Sequence, residues 1–216
     1  TAVERRFLTT EFTVRAIAQE TVGCGVELLP HAPTRHHAGA AQPQVADGDA
    51  GSSDEGNRPQ SALSTRGAAF KRRHRLHGPF VLYGGRIEKG KGCEELVEYF
   101  SQYHADGGEA TLTLMGVKLM PLPEEPFIRF AGLLSERERL QALEAATVVI
   151  VPSPFESLSL MALEAFAVGT PILANARCEV LVDHCRRSNA GLFYADRDEF
   201  GECLRLLMAD DPLRAA

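Results

Sequence analysis

The chain has 216 residues, of which 44% are hydrophobic and 24% are charged, and its formal net charge is −6 at pH 7. This length can bury a core of ordinary size, and the composition is close to the average for soluble globular proteins. The negative charge argues against general nucleic-acid binding, and no apolar run approaches the ~20 residues that a membrane span needs.

The cysteines are an odd number at scattered spacings. They are Cys24, Cys93, Cys178, Cys185 and Cys203. No pair has CxxC spacing, so free thiols are favoured over a disulfide framework or a zinc site. The start of the chain lacks the basic region and apolar core of a signal peptide. We therefore expect a cytoplasmic protein.

The first third of the chain divides into two segments. Residues 1–37 hold short apolar groups and one strand-like stretch, Val26 to Leu29, which is too short to make a domain. Residues 38–77 begin with a low-complexity stretch that we predict to be disordered, because it cannot bury enough apolar surface to offset its ordering entropy. The same segment ends in a basic run, Lys71 to Arg75. A solvated helix face is the favoured interpretation of this run. A phosphate-facing patch and peripheral membrane association stay open as alternatives.

Strands and helices alternate regularly over residues 78–216. The predicted strands are Phe80–Tyr83, Thr111–Met115, Phe127–Phe130, Thr147–Val151, Pro171–Ala174 and Gly191–Tyr194. The predicted helices are Cys93–His104, one that starts after a capping box at Ser135–Glu138, Leu158–Val168, and one that Asp196 caps and that fades near Asp211. This alternation predicts an α/β fold, a Rossmann-like parallel sheet with helices on both faces. Ligands of such sheets bind where loops leave the carboxyl ends of strands.

The first candidate site follows a buried strand and opens a helix. It begins with Gly84 and Gly85 and contains Arg86 and Lys91. Glycines let the backbone approach a ligand closely, and a helix start attracts anions. Arg86 can hold phosphate oxygens as a fork, and Lys91 can add a point charge. The segment therefore predicts a cationic cradle for a diphosphate. A glycine-rich turn with solvated basic residues is the alternative.

The second candidate site also leads from a strand into a helix. It holds Glu156 in the loop and Glu164 in the helix. A carboxylate can accept hydrogen bonds from both hydroxyls of a ribose diol. The N–H groups of Ser157, Leu158 and Ser159 are expected to face an anion. Glu164 lies among apolar residues, where an unpaired carboxylate would be costly. An exposed, unpaired Glu164 is the alternative.

Together the two segments resemble the retaining family-4 (group 1) glycosyltransferases of the GT-B fold. That family has a Gly-Arg segment with a Lys five residues later, here Gly85, Arg86 and Lys91. It also has a Glu-x7-Glu element, here Glu156 and Glu164, and a Gly-x-Pro turn, here Gly169–Pro171. The resemblance covers roughly residues 79–211 and identifies the third segment, 78–216, as the C-terminal, nucleotide-sugar-binding half of the fold.

The resemblance implies a role for each matched residue. Arg86 and Lys91 would bind the donor diphosphate and stabilise it as it leaves, and Glu156 would contact the donor sugar. Glu164 would hold the ribose. Main-chain groups around Leu133 and Leu134 would meet the base. The family transfers sugar from a nucleotide donor with retention of configuration, generally without a bound metal. We thus expect a nucleotide-diphospho-sugar as substrate and no cofactor.

The chain departs from the family because it has no room for the first GT-B half, which carries the acceptor site. Residues 1–37 resemble the end of that half and the passage between halves. We therefore expect a fragment that transfers little or no sugar alone, because the cleft is what brings donor and acceptor together. A GT-B-fold nucleotide-sugar epimerase and a non-catalytic fragment stay open as alternatives. Two DxD matches, Asp47–Asp49 and Asp196–Asp198, are not expected to bind metal, the second because it reads as a helix cap.

Overall fold

The computed structural model describes residues 65–209. The predicted strand at Val26–Leu29, the low-complexity segment up to residue 64 and the match at Asp47–Asp49 lie outside the described residues. The division into segments 1–37, 38–77 and 78–216 therefore stays a prediction.

Strands and helices alternate along the described chain. The strands are β1 (Phe80–Gly84), β2 (Thr111–Met115), β3 (Ile128–Gly132), β4 (Val148–Val151), β5 (Ile172–Asn175) and β6 (Gly191–Tyr194). The helices are α1 (Thr65–His74), α2 (Cys93–Ala105), α3 (Glu136–Ala145), α4 (Leu160–Ala167), α5 (Glu179–Ser188) and α6 (Arg197–Ala209). A short 3₁₀ turn, Lys89–Lys91, precedes α2.

The strands form one six-stranded sheet in the order β3-β2-β1-β4-β5-β6. All of its strand pairs are parallel. The predicted α/β fold with a Rossmann-like parallel sheet is confirmed. In this order the chain reverses its direction of winding between β1 and β4, which makes the gap between their carboxyl ends the topological switch point.

Two apolar cores, one on each face, explain why the strands are continuously apolar. In β1 the side chains of Phe80 and Leu82 enter one core, and those of Val81 and Tyr83 enter the other. A strand with both faces covered has no polar face to alternate with. The same reasoning applies to β4, where every residue from Val148 to Val151 is buried.

The packed core includes a residue of the segment 38–77, which the sequence predicted to lie outside the folded domain. Helix α1 covers residues 65–74, the end of the low-complexity stretch and most of the basic run. Its Phe70 is fully buried and packs against Phe80, with ring centroids 6.0 Å apart. Arg72 and Arg73 are exposed, whereas Lys71 is partly buried and donates to the Gly78 carbonyl at 3.3 Å. One aromatic anchor among small and basic residues therefore holds this helix.

Two helices start where the sequence predicted, and a third starts two residues later than predicted. The predicted capping box at Ser135 and Glu138 is present in full at the start of α3. Asp196 accepts a hydrogen bond from the Glu199 N–H at 2.9 Å, so the Asp196–Asp198 match does cap α6. Helix α4 begins at Leu160 rather than Leu158, because Ser159 takes a left-handed conformation with φ 61°.

Candidate functional site

A cavity of about 230 Å³ opens at the carboxyl ends of β1 and β4, at the switch point of the sheet. Parallel sheets of this topology bind ligands at that place. Its lining comes from the two predicted loops and from α3 and α4. The residues are Tyr83, Gly84, Gly85, Arg86, Lys91, Arg139, Ile150, Val151, Pro152, Ser153, Glu156, Ser159, Leu160 and Met161.

The side chain of Tyr83 fixes the backbone of the loop after β1. The Tyr83 hydroxyl donates to the Arg86 carbonyl at 2.6 Å. Burial, followed by hydrogen bonding with Cys93, raises the pKa of the Tyr83 hydroxyl far above its ordinary value of 10.0. Tyr83 therefore stays a neutral donor and fixes the backbone from which Arg86 projects. Arg86 itself is exposed and pairs with Glu88 at 3.2 Å.

A glycine brings the two predicted loops together. Gly92, between the 3₁₀ turn and α2, has φ 74°, and a Cβ there would lie 2.3 Å from the Pro152 carbonyl oxygen. Only glycine allows this conformation and this close approach. The contact places Lys91 beside the second loop, where its Nζ lies 2.9 Å from Glu156 Oε1. The Lys91 and Glu156 side chains are 29% and 19% exposed, so the pair faces the cavity while being partly shielded.

Glu164 is buried and paired, which overturns the alternative of an exposed, unpaired residue. It is 7% exposed, and the Arg139 Nη1 lies 2.6 Å from Oε1 and 2.5 Å from Oε2. Arg139 lines the cavity, and Glu164 lies behind it. Arg139 was not predicted from the sequence. A signal was available, because a carboxylate predicted among apolar residues needs a cation, and the capped helix α3 carries Arg137 and Arg139.

The loop before α4 is shaped by contacts with the end of β5 and with α5. The Asn175 amide donates to the Pro152 carbonyl at 2.9 Å, and His184 Nε2 lies 2.7 Å from the Leu158 carbonyl oxygen. The N–H groups of Ser157, Leu158 and Ser159 have no hydrogen-bond partner among residues 65–209. Of the three residues, Ser159 lines the cavity and Ser157 and Leu158 do not, so their role in binding an anion stays a prediction.

The structure brings most of the predicted site residues to one cavity. Gly84, Gly85, Arg86, Lys91, Glu156 and Ser159 line it, and Glu164 borders it through Arg139. The other four predicted residues are not in the lining. They are Ser157, Leu158, Leu133, which is 77% exposed, and Leu134, which packs against the core.

Three further features of the described residues concern metal binding, membrane crossing and the state of the cysteines. Within residues 65–209, no three His, Cys, Asp or Glu side chains gather as a metal site would require. The helices in this range are all too short or too polar to cross a membrane. The four cysteines in this range, Cys93, Cys178, Cys185 and Cys203, are free thiols.

The doubly wound sheet and the charged cavity at its switch point define a Rossmann-like α/β domain of the kind found in the C-terminal half of GT-B proteins. The family model described as "Glycosyl transferases group 1" matches residues 78–210. The chain belongs to this glycosyltransferase family.

Relatives and solved structures agree with this assignment. The chain is 30% identical over 154 residues to glycogen synthase of Mycobacterium tuberculosis, with 67% of this chain and 37% of the relative covered. It is 36% identical over 145 residues to D-inositol 3-phosphate glycosyltransferase of Nocardioides sp., covering 66% and 28%. The chain thus spans about a third of the length of these relatives.

Among solved structures, HepE of Anabaena in complex with UDP-glucose is similar with a TM-score of 0.61 and 17% identity, covering 71% of this chain and 46% of that one. Sucrose-phosphate synthase from Thermosynechococcus elongatus is similar with a TM-score of 0.53 and 24% identity, covering 68% and 41%. At these identities the likeness supports the fold.

Proposed function

We propose that this chain is the donor-binding part of a retaining glycosyltransferase and that the cavity at the switch point binds a nucleotide-diphospho-sugar. The observation that carries the proposal is the convergence of Arg86, Lys91 and Glu156, from two distant loops, on one cavity. The solved complex of HepE with UDP-glucose supports a donor of this class. The cavity of about 230 Å³ is smaller than the roughly 300–1,000 Å³ of typical small-molecule sites. It therefore fits part of the donor, the diphosphate and what adjoins it.

The charges of the cavity suit a diphosphate. Arg86 can form two parallel hydrogen bonds to phosphate oxygens, and Lys91 adds a compact charge. The backbone N–H of Ser159, which lines the cavity, can add a further donor to an anion. These groups would stabilise the negative charge that develops on the diphosphate as the sugar–oxygen bond breaks. We propose that transfer needs no bound metal, because the cations supply this charge.

Glu156 has two roles in this proposal. In the ligand-free state it neutralises Lys91, at 2.9 Å. When a diphosphate replaces Glu156 as the partner of Lys91, the Glu156 carboxylate is free to face the donor sugar. A carboxylate beside the anomeric carbon would steady the positive charge that develops there. Glu164 is proposed to lie at the ribose, where its oxygens accept hydrogen bonds from hydroxyls.

Sugar transfer also needs an acceptor held beside the donor. The chain covers 37% and 28% of two relatives, so we propose that a first GT-B half supplies the acceptor site. Without it, this chain would bind donor and transfer little or no sugar, because proximity is a large part of the rate.

Calorimetric titration of the chain with UDP, GDP, ADP and inorganic pyrophosphate tests the proposal. We expect at least one nucleotide to bind with a dissociation constant below the millimolar range, and more tightly than pyrophosphate. The double variant Arg86→Ala/Lys91→Ala should weaken that binding by about 100-fold, since two charge-assisted contacts are lost. The matched control is Lys89→Ala, an exposed lysine of the same loop paired with Glu94. Absence of nucleotide binding at millimolar concentration would overturn the proposal.

A further inference from the structure

Arg139 occupies a position between two parts of the proposed donor site. It lies one turn into α3, and its N–H donates to the Ser135 carbonyl at 2.8 Å. Helix α3 follows the loop of Leu133 and Leu134, which is predicted to meet the base. Arg139 reaches from there to Glu164 on α4. Glu164 lies four residues after the first residue of α4, which is about 6 Å along the helix axis. The ion pair therefore lies between the base loop and the predicted anion site.

The pair has unused hydrogen-bonding capacity on the cavity side. One nitrogen, Arg139 Nη1, contacts both Glu164 oxygens. A guanidinium has five N–H donors, and a carboxylate has about four acceptor positions. The Arg139 side chain is 34% exposed and lines the cavity, whereas that of Glu164 is 9% exposed. A ligand that enters the cavity therefore meets Arg139 before Glu164.

Stability alone does not account for the pair. Taking two charges out of water costs about as much as their attraction returns, so a buried ion pair adds little net stability. Here one partner faces a cavity that also contains Arg86 and Lys91. This arrangement is suited to a ligand that can use a donor and an acceptor side by side.

We propose that Arg139 is a further donor-binding residue that contacts the ribose of the nucleotide and, with Glu164, distinguishes ribose from deoxyribose. The inference rests on the proposed function. A ribose hydroxyl both donates and accepts, so it can donate to Glu164 and accept from Arg139 at once. A 2′-deoxyribose offers neither interaction at that position and leaves both charged groups without the partner. Base and diphosphate are contacted elsewhere, so Arg139 affects mainly the discrimination at the ribose.

The experiment measures the affinity of the chain for the nucleoside diphosphate that it binds best, for the 2′-deoxy form of that nucleotide, and for pyrophosphate. We expect the parent chain to prefer the ribose form by about tenfold or more, the value of charge-assisted hydrogen bonds. Arg139→Gln keeps a polar partner for Glu164 and removes the cation, so the preference should fall to about twofold or less. Pyrophosphate affinity should stay within about twofold of the parent value. The control is Arg137→Ala, an exposed residue of the same helix, which should leave all three affinities unchanged.

A second variant guards against a failure to fold. Arg139→Lys keeps a cation beside Glu164, but its donors all lie on one nitrogen, so it cannot contact the carboxylate with one nitrogen and the ligand with another. Urea unfolding should show that this variant folds. The difference in binding free energy between the ribose and deoxyribose nucleotides should fall to about half of the parent value or less. Two outcomes would overturn the inference and leave the proposed function standing. One is equal affinity of the parent chain for the ribose and 2′-deoxyribose forms of the nucleotide. The other is a ribose preference in Arg139→Gln and Arg139→Lys that equals the preference in Arg137→Ala. A loss of pyrophosphate affinity as large as the loss for the nucleotide would also overturn the inference, because Arg139 would then act on phosphate. Failure of the parent chain to bind any nucleoside diphosphate refutes the proposed function itself.

Discussion

Lys91 and Glu156 are 65 residues apart in the chain, yet Lys91 Nζ lies 2.9 Å from Glu156 Oε1. Parallel strands explain this proximity, because β1 and β4 are neighbours and their carboxyl ends meet at the same edge. Each of the cations that line the cavity has an acidic partner of this kind: Glu88 for Arg86, Glu156 for Lys91 and Glu164 for Arg139. An anion that enters must therefore exchange with carboxylates, and its binding should weaken as salt is added.

Replacement of Lys91 tests the importance of the first exchange. Lys91→Ala should weaken binding of the preferred nucleoside diphosphate by about 10- to 100-fold, because a charge-assisted hydrogen bond to phosphate is lost. Calorimetry at two salt concentrations should also show a smaller salt dependence than for the parent chain. The exposed neighbour Lys89, replaced by Ala, is the control. If both variants bind equally well, Lys91 does not contact the diphosphate.

Gly92 allows the approach of the two loops, so its replacement should affect both stability and binding. Gly92→Ala puts a Cβ 2.3 Å from the Pro152 carbonyl oxygen in a left-handed conformation. We expect a loss of about 2 kcal/mol in the free energy of unfolding, from strain and displaced backbone. Nucleotide affinity should fall as well, because Lys91 moves away from the second loop.

Gly90→Ala is the matched control for Gly92→Ala, because a Cβ at Gly90 meets no atom within 4 Å. Urea unfolding measures both variants. Comparable stability of the two would show that the loop after β1 relaxes at no cost, which contradicts the argument from close approach.

The features that the sequence predicted follow from local patterns or from a general rule of parallel sheets. Continuous apolar runs are enough to indicate strands buried on both faces, as in β1 and β4. The capping box of Ser135 and Glu138 depends on residues three apart, and it starts α3 as predicted. The convergence of Arg86, Lys91 and Glu156 followed from the rule that strand ends in a parallel sheet share an edge.

The features that the sequence analysis missed depend on distant contacts. Arg139 and Glu164 lie on different helices and form an ion pair. The pattern of apolar residues in either helix does not predict this contact. The capping box drew attention to Glu138 and left Arg139 as one of several charges on an exposed helix.

The first half of helix α1 was missed because its only large apolar residue is Phe70, among small residues. The favoured interpretation of the basic run as a solvated helix face agrees with the exposed Arg72 and Arg73. The burial of Phe70 depends on α3 and β1, which lie later in the chain.

Tyr83 supports the Arg86 backbone, so removing its hydroxyl should loosen the first loop. Tyr83→Phe should lower the free energy of unfolding by about 1 kcal/mol and nucleotide affinity by about threefold, the value of one hydrogen bond. The pKa of the Tyr83 hydroxyl is raised above its ordinary value of 10.0 mainly by burial. Its contribution to stability is therefore constant below about pH 10 and declines as the pH rises further, because the unfolded chain then loses the proton more readily.

The difference in unfolding free energy between the parent chain and Tyr83→Phe measures this contribution. It should be flat from pH 6 to 9 and should shrink above about pH 10. Other tyrosines titrate equally in both proteins and cancel in the difference. A difference that changes between pH 6 and 9 would mean that another group, and not Tyr83, holds the Arg86 carbonyl.

His184 contacts the backbone of the second loop and does not line the cavity. Its Nε2 lies 2.7 Å from the Leu158 carbonyl oxygen, which can only accept, so Nε2 carries the hydrogen. His184→Ala should free the Leu158 carbonyl and let the N–H groups of Ser157 to Ser159 turn. We expect nucleotide affinity to fall about fivefold, with about 1 kcal/mol lost from the unfolding free energy.

A rescue variant separates the lost hydrogen bond from lost packing. His184→Gln offers an amide N–H to the same carbonyl and should recover most of the nucleotide affinity. Arg187→Ala, an exposed position on the same helix paired with Asp183, is the control. Recovery of unfolding free energy in His184→Gln without recovery of affinity would show that α5 supports the fold but not the shape of the loop. Recovery of both would extend the donor site to a residue whose side chain does not line the cavity, since its effect on the ligand passes through the Leu158 backbone.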